Sequence, residues 1–160
     1  MAQRTIFTLG YQKRAIEEYV AVLQEAGVRV VVDVRETAWS HKPGFSKSAL
    51  EGRLSAAGIE YRHAAFAGNP KELRKTAESH EACLTAYAAF LSDHPDVLVE
   101  FGTLIEELLD SERYVCLLCY ERHPDDCHRS ILLEQWMAET ESPPTVEHLG
   151  KEGAERFLTG

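Results

Sequence analysis

Five valines crowd the seven residues VRVVVDV, Val28 to Val34. A run so rich in β-branched residues favours an extended strand. With almost no polar face, it suits a strand covered on both sides, as in a parallel sheet flanked by helices. Its surroundings agree. TIFTL (Thr5 to Leu9) reads as a strand and is followed by a Gly10 turn; then Ile16, Tyr19, Val20 and Leu23 recur at helical spacing, with Gly27 just past the helix end.

A long polar loop follows Val34. The pair Ser48 and Glu51 has capping-box spacing, so Ser46 or Ser48 is expected to cap a short helix through Ala57, stopped by Gly58. IEYRH (Ile59 to His63) is a third strand, and Ala64 to Ser79 reads mostly as loop. Helices are expected over Glu81 to Leu91 and Asp96 to Leu109, then a strand YVCLLCY, a helix Cys127 to Glu139 and a short fifth strand in PTVEHL. Alternating strands and helices define the class: an α/β three-layer, Rossmann-like domain with a mostly parallel sheet of four to five strands. One domain over residues 1–150 is expected, with a tail at 151–160 that carries no readable signal.

Such sheets bind ligands beyond the carboxyl ends of their strands. Residues that follow each strand should therefore share one rim: Gly10, Tyr11 and Gln12, Arg35 and Glu36, His63, and Glu121 with Arg122. The loops HKPGF (His41 to Phe45) and FAGNP (Phe66 to Pro70) rise from the same side.

Composition narrows the partners. No apolar run approaches the roughly 20 residues that span a bilayer, and the N-terminus lacks a signal peptide's apolar core. A cytoplasmic protein with no membrane association is expected. The net charge of −9 opposes binding to nucleic acid by bulk electrostatics, although a local basic pocket is compatible with it. The oligomeric state is not encoded in any pattern.

Four cysteines, Cys83, Cys116, Cys119 and Cys127, are expected as free thiols in a chain of this size and compartment. Cys116 and Cys119 have redox or zinc-knuckle spacing, but residues three apart in a strand point to opposite faces. A zinc site from Cys119, Cys127, His128 and either His123 or His63 has suitable ligand types without paired-knuckle spacing. Neither a metal nor a cofactor is expected.

The turn ERHPDDCHRS, Glu121 to Ser130, is more informative. Asp125 or Asp126 is a suitable N-cap, which would put Cys127, His128 and Arg129 in the first turn of a helix. Free N–H groups and the helix dipole attract anions there, a guanidinium adds a bidentate donor, and the same dipole favours a thiolate. Taken singly, these residues are equally compatible with plain structural roles: Arg129 paired with Glu121 or Asp33, His128 bonded to a carbonyl, Cys127 buried.

Taken together they suggest a site. Arg35 and Arg129 would recognise an anion, Glu121 and His128 would transfer protons, and Tyr11 would orient or stack on the ligand. Cys127 is the thiol to suspect before Cys119, and Asp33 would orient Arg35. The expected partner is an anionic small molecule or nucleotide, or a nucleic-acid end. The competing class is a binding module in which the same arginines hold the anion and no bond is broken.

TLGY, VVDVRE, PGFS, GIEYRHA and above all CYERHPDDCHRS resemble, in order and spacing, the bacterial and archaeal family known as domain of unknown function 488. The resemblance spans about Thr5 to His148. It implies a small Rossmann-like domain with a polar pocket at the strand ends, and lends no settled activity. Asp33, Arg35, Phe45, Tyr61, Cys119, Glu121, Cys127, His128 and Arg129 occupy its motif positions, with Phe45, Tyr61, His63 and Cys119 in supporting places. The segment between His63 and Glu81 departs from the pattern, with Gly68 where a pair of glycines is common. VVDVRE is also similar to the opening motif of rhodanese domains. Their cysteine cradle closes with an arginine five residues on, whereas Arg129 lies ten residues after Cys119, so that signature is not met.

Overall fold

The structure is a computed structural model that describes residues 4–150 and the backbone of 157–159. Five parallel strands form the sheet: β1 (Thr5–Gly10), β2 (Val28–Asp33), β3 (Glu60–His63), β4 (Tyr114–Cys119) and β5 (Thr145–His148). A sixth strand, β6 (Phe157–Thr159), pairs antiparallel with β5, so the order is β3-β2-β4-β1-β5-β6. The rest of the tail, 151–156 and 160, lies outside the described residues.

Helices cover both faces, as the valine run requires. On one side α1 (Ile16–Ala26) and α2 (Lys47–Ala56) pack Ile16, Tyr19, Leu23, Leu50 and Leu54 against Phe7, Leu9, Val31, Cys116 and Leu118. On the other, α4 (His80–Asp93), α5 (Pro95–Asp110) and α6 (His128–Glu139) pack against Ile6, Val30, Val32, Val34, Val115, Leu117 and Cys119, with α3 (Lys71–Thr76) beside α4. Period-two alternation is thus kept along β2 from Val30. Val28 instead joins the α1/α2 side because the register with β4 shifts between Val28 and Val30. Cys116 and Cys119 lie in opposite layers, as strand geometry demands.

Several local expectations are corrected. Residues between His63 and Ser79 are not mostly loop: Ala65–Ala67 make a 3-10 turn and α3 follows, a helix too short for hydrophobic periodicity to reveal. Ser46 stands at the start of α2 but does not cap it. Its hydroxyl accepts the Ser40 N–H and donates to the Ser40 carbonyl, tying off the preceding loop. The N-cap of α6 is Cys127 rather than an aspartate, because Pro124–Asp126 coil into a 3-10 turn of their own.

The connections create a crevice. Chain leaving β1 and β2 goes to α1 and α2 on one face, whereas chain leaving β4, the strand between them, goes to α6 on the other. Neighbouring strands whose continuations part to opposite faces open a gap at their carboxyl ends. No helix among the described residues is long and apolar enough to cross a membrane.

Candidate functional site

A cavity of about 590 Å³ occupies that crevice, lined by Tyr11 and Gln12 after β1, Arg35, Glu36, Thr37 and Trp39 after β2, and Tyr120, Glu121, Asp126 and His128 after β4, with Asn69, Arg74 and His80 from the α3/α4 side. Backbone pairing continues past the strands and fixes its floor. Tyr11 N–H donates to the Cys119 carbonyl at 3.1 Å, Gln12 N–H to the Tyr120 carbonyl at 2.8 Å, and Val34 N–H to the Leu118 carbonyl at 3.1 Å.

Asp33 organises the β2 side. Its fully buried carboxylate accepts Arg35 Nε at 2.8 Å and Nη2 at 2.7 Å, the Arg35 backbone N–H at 3.1 Å and the Tyr61 hydroxyl at 2.6 Å. Burial alone would make the Arg35 cation easier to neutralise, but the bidentate bond to Asp33 outweighs it and holds the guanidinium charged. Arg35 Nη1 donates to Tyr11 Oη at 3.2 Å, and the guanidinium carbon lies 5.2 Å from the Tyr11 ring centroid. Phe45 stacks on the same ring, with centroids 4.4 Å apart. His63 Nε2 donates to the Arg35 carbonyl at 2.7 Å. Asp33, Phe45, Tyr61 and His63 therefore hold Tyr11 and Arg35 in place from outside the cavity.

On the β4 side, burial raises the Glu121 carboxyl above the ordinary carboxylate range. Burial also lowers the His128 imidazole to about 4. His128 Nε2 bonds at 2.8 Å to the Val34 carbonyl, which can only accept, so Nε2 carries the hydrogen and Nδ1 is the bare nitrogen. That Nδ1 faces Cys127 Sγ at 3.8 Å. Arg129 does not line the cavity. It is fully buried, donating through Nη1 to the Glu121 carbonyl at 2.7 Å and to Cys119 Sγ at 3.1 Å.

The cysteines bring a correction. Cys119 and Cys127 are joined by a disulfide, and only Cys83 and Cys116 carry free thiols. Sequence spacing could not show this, because the 3-10 turn folds the segment between them back on itself and returns Cys127 to the end of β4. Among the described residues, the one group that could offer three donors to a metal is Cys119, Cys127 and His128, whose ligand atoms lie within 4.8 Å of one another.

Of the expected site residues, Tyr11, Arg35, Glu121 and His128 line the cavity, whereas Arg129 and Cys127 do not and are buried, as is Cys119, which was expected in a supporting place. Sequence reasoning missed Trp39, Arg74, His80 and Tyr120. Trp39 and Tyr120 are 58% and 48% exposed, and an aromatic inside a polar loop was the available signal for Trp39. Arg74 and His80 belong to α3 and the start of α4 and could not be placed while that region read as loop.

Two buried imidazoles give the fold a measurable pH response. His128, and likewise His148, fall from the ordinary 6.5 to about 4, burial being the main cause. The unfolded chain takes up protons as pH falls through 6.5, whereas the folded chain refuses them until about 4, so stability is full above the upper value and drains away between the two. Each histidine should remove about 2 kcal/mol between pH 7 and pH 5, read from urea melts, and His128→Gln should flatten the slope by its share. An unchanged slope would contradict the burial of a neutral imidazole.

The fold and crevice define a class: Rossmann-like α/β proteins with a polar cavity at the carboxyl rim of a parallel sheet. Within it, the chain belongs to the family described as domain of unknown function DUF488, whose profile matches residues 15–136. Searches of the curated proteins and of the solved structures return no significant match.

Proposed function

We propose that the crevice cavity binds a small anionic ligand with a planar ring, of the nucleotide or phosphorylated-metabolite class, and that Glu121 serves as its proton donor. The observation that carries this reading is the joint exposure to one cavity of the Arg35 guanidinium and the protonation-prone Glu121 carboxyl. Arg35 has five N–H bonds, of which three are committed to Asp33 and Tyr11, leaving two for a ligand oxygen. Arg74, bonded to Glu36 at an exposed position, adds a second guanidinium. Trp39 and Tyr120 offer ring faces at the mouth. Glu36, Glu121 and Asp126 offset the cations, which supports a ligand with both an anionic group and hydrogen-bond donors over a bare polyanion.

His128 enters this reading as a wall of the cavity whose ring is fixed by Val34, so proton transfer falls to Glu121. The same observation supports the alternative, a binding module, since fixing the His128 ring removes the imidazole that would pair with Glu121 in acid–base work.

Thermal shifts with nucleoside mono- and diphosphates, the parent nucleosides and inorganic phosphate separate the cases. A fitting ligand at saturation should raise Tm by roughly 5 °C or more, and Arg35→Gln should abolish the shift. Turnover lost in Glu121→Gln with binding retained supports the enzyme; binding without turnover by the unaltered protein supports the module. No shift with any phosphorylated compound would sink the reading.

A further inference from the structure

Beneath the cavity floor, we propose, Cys119 and Cys127 form a redox-active dithiol/disulfide site that reacts with peroxide, with Cys119 as the attacking thiolate, Cys127 as the resolving thiol and Arg129 as the counter-charge. This goes beyond the ligand reading and does not depend on it.

The argument begins with Arg129. Its side chain is fully buried, and its Nε and Nη2 have no hydrogen-bond partner. Among the described residues it makes no ion pair; its contacts are the Glu121 carbonyl and Cys119 Sγ. A cation this deeply buried calls for a neutralising charge close by. In the disulfide form the one acid that acts on it is Glu121, whose carboxyl burial raises above the ordinary range and so disfavours as a charge. A thiolate on Cys119, 3.1 Å from Nη1, supplies one at the place where the guanidinium already points.

Cys127 is set up differently. As N-cap of the twelve-residue α6, its sulfur accepts the Arg129 backbone N–H at 3.5 Å, and the bare Nδ1 of His128 stands 3.8 Å away to accept its S–H. The reduced state is thus Cys119 thiolate with the Arg129 guanidinium, and Cys127 thiol with the His128 imidazole. Both cysteines are about 1% exposed, so the partner must be little larger than water. His128 and Glu121 separate them from the cavity through which hydrogen peroxide would arrive.

The steps balance. The Cys119 thiolate attacks one peroxide oxygen, the O–O bond breaks, and the departing hydroxide takes from solvent the proton that the Cys119 thiol released on ionising and leaves as water, giving Cys119 sulfenic acid. Cys127 sulfur then attacks the Cys119 sulfur, the S–O bond breaks, and the hydroxyl leaves as water with the Cys127 proton, giving the disulfide. Cysteine is oxidised by two electrons, and peroxide is reduced by two.

The test uses the full chain, reduced and free of ligand, treated with sub-stoichiometric to equimolar hydrogen peroxide and followed by differential alkylation and mass spectrometry. The Cys119–Cys127 disulfide should form first, while Cys83 and Cys116 stay reduced; burial raises the Cys116 thiol and makes it an internal control. In Cys127→Ser, a dimedone-type probe should trap sulfenic acid on Cys119. In Cys119→Ser, no sulfenic acid should form on Cys127. Arg129→Met should slow oxidation of Cys119 at least about tenfold and Arg129→Lys should restore much of the rate, as expected if its charge stabilises the thiolate. Wild-type protein that retains four free thiols, sulfenic acid on Cys127 in preference to Cys119, or stoichiometric metal on the reduced protein would overturn the proposal. Because no cavity ligand is present, these outcomes are independent of whether one is found.

Discussion

Asp33→Ala should lower the folding stability by about 3–5 kcal/mol, the cost of removing one partner from a buried ion pair. Asp33 is wholly buried and Arg35 nearly so, and one carboxylate accepts from Arg35 three times and from Tyr61 once. Without it, the guanidinium is a buried charge beside a tyrosine hydroxyl, and Tyr61 loses its acceptor. Asp33→Asn should fall between, because the amide keeps an oxygen for one donor and gives up the charge. Urea melts with an unchanged slope would read this as a stability change. A loss under about 1 kcal/mol would mean that Arg35 swings to another anion, and the rigid placement of its free N–H groups would be lost as an argument.

Gly10→Ala carries the second large effect. A Cβ at Gly10 would collide with the Glu121 carbonyl, a backbone atom that cannot rotate aside and that also accepts from Arg129. The loop after β4 must shift, costing about 3 kcal/mol by overpacking. Displacement of Glu121 should also erase any ligand-induced rise in Tm. Gly52→Ala is the matched control: Gly52 lies in α2 with nothing within 4 Å of its Cβ position, so alanine there should stabilise by roughly 0.5–1 kcal/mol through helix propensity. Equal effects at the two positions would refute the close approach of β1 to the β4 loop.

The layered fold was legible because its signals are local and repeated. Val30 to Val34 alternate faces, Ile16, Tyr19 and Leu23 recur at helical spacing, and the rule that strands discharge their ligand groups at one end then placed Tyr11, Arg35 and Glu121 together. What escaped depends on depth and on irregular backbone. Arg129 follows Cys127 into a helix start, as expected, but whether that first turn faces the cavity or the core depends on the 3-10 turn over Pro124–Asp126, which has no periodicity to read. The same turn brings Cys127 back to Cys119. Arg74 is a third case: it reaches the cavity from a six-residue helix, a length at which composition carries little information.

The strand order also governs how the chain can be assembled. β1 pairs only with β4 and β5, and β2 needs β4 on one side, so both early strands wait for partners that follow more than 75 residues later. A nascent chain that has not yet reached Tyr114 can join β2 to β3 but leaves β1 unzipped, with apolar edges exposed on both. Folding dominated by such distant pairings is slow and prone to association between chains. During synthesis, then, the hazard lies in the interval before β4 is made, and the single strand that completes the crevice also joins β1 to β2.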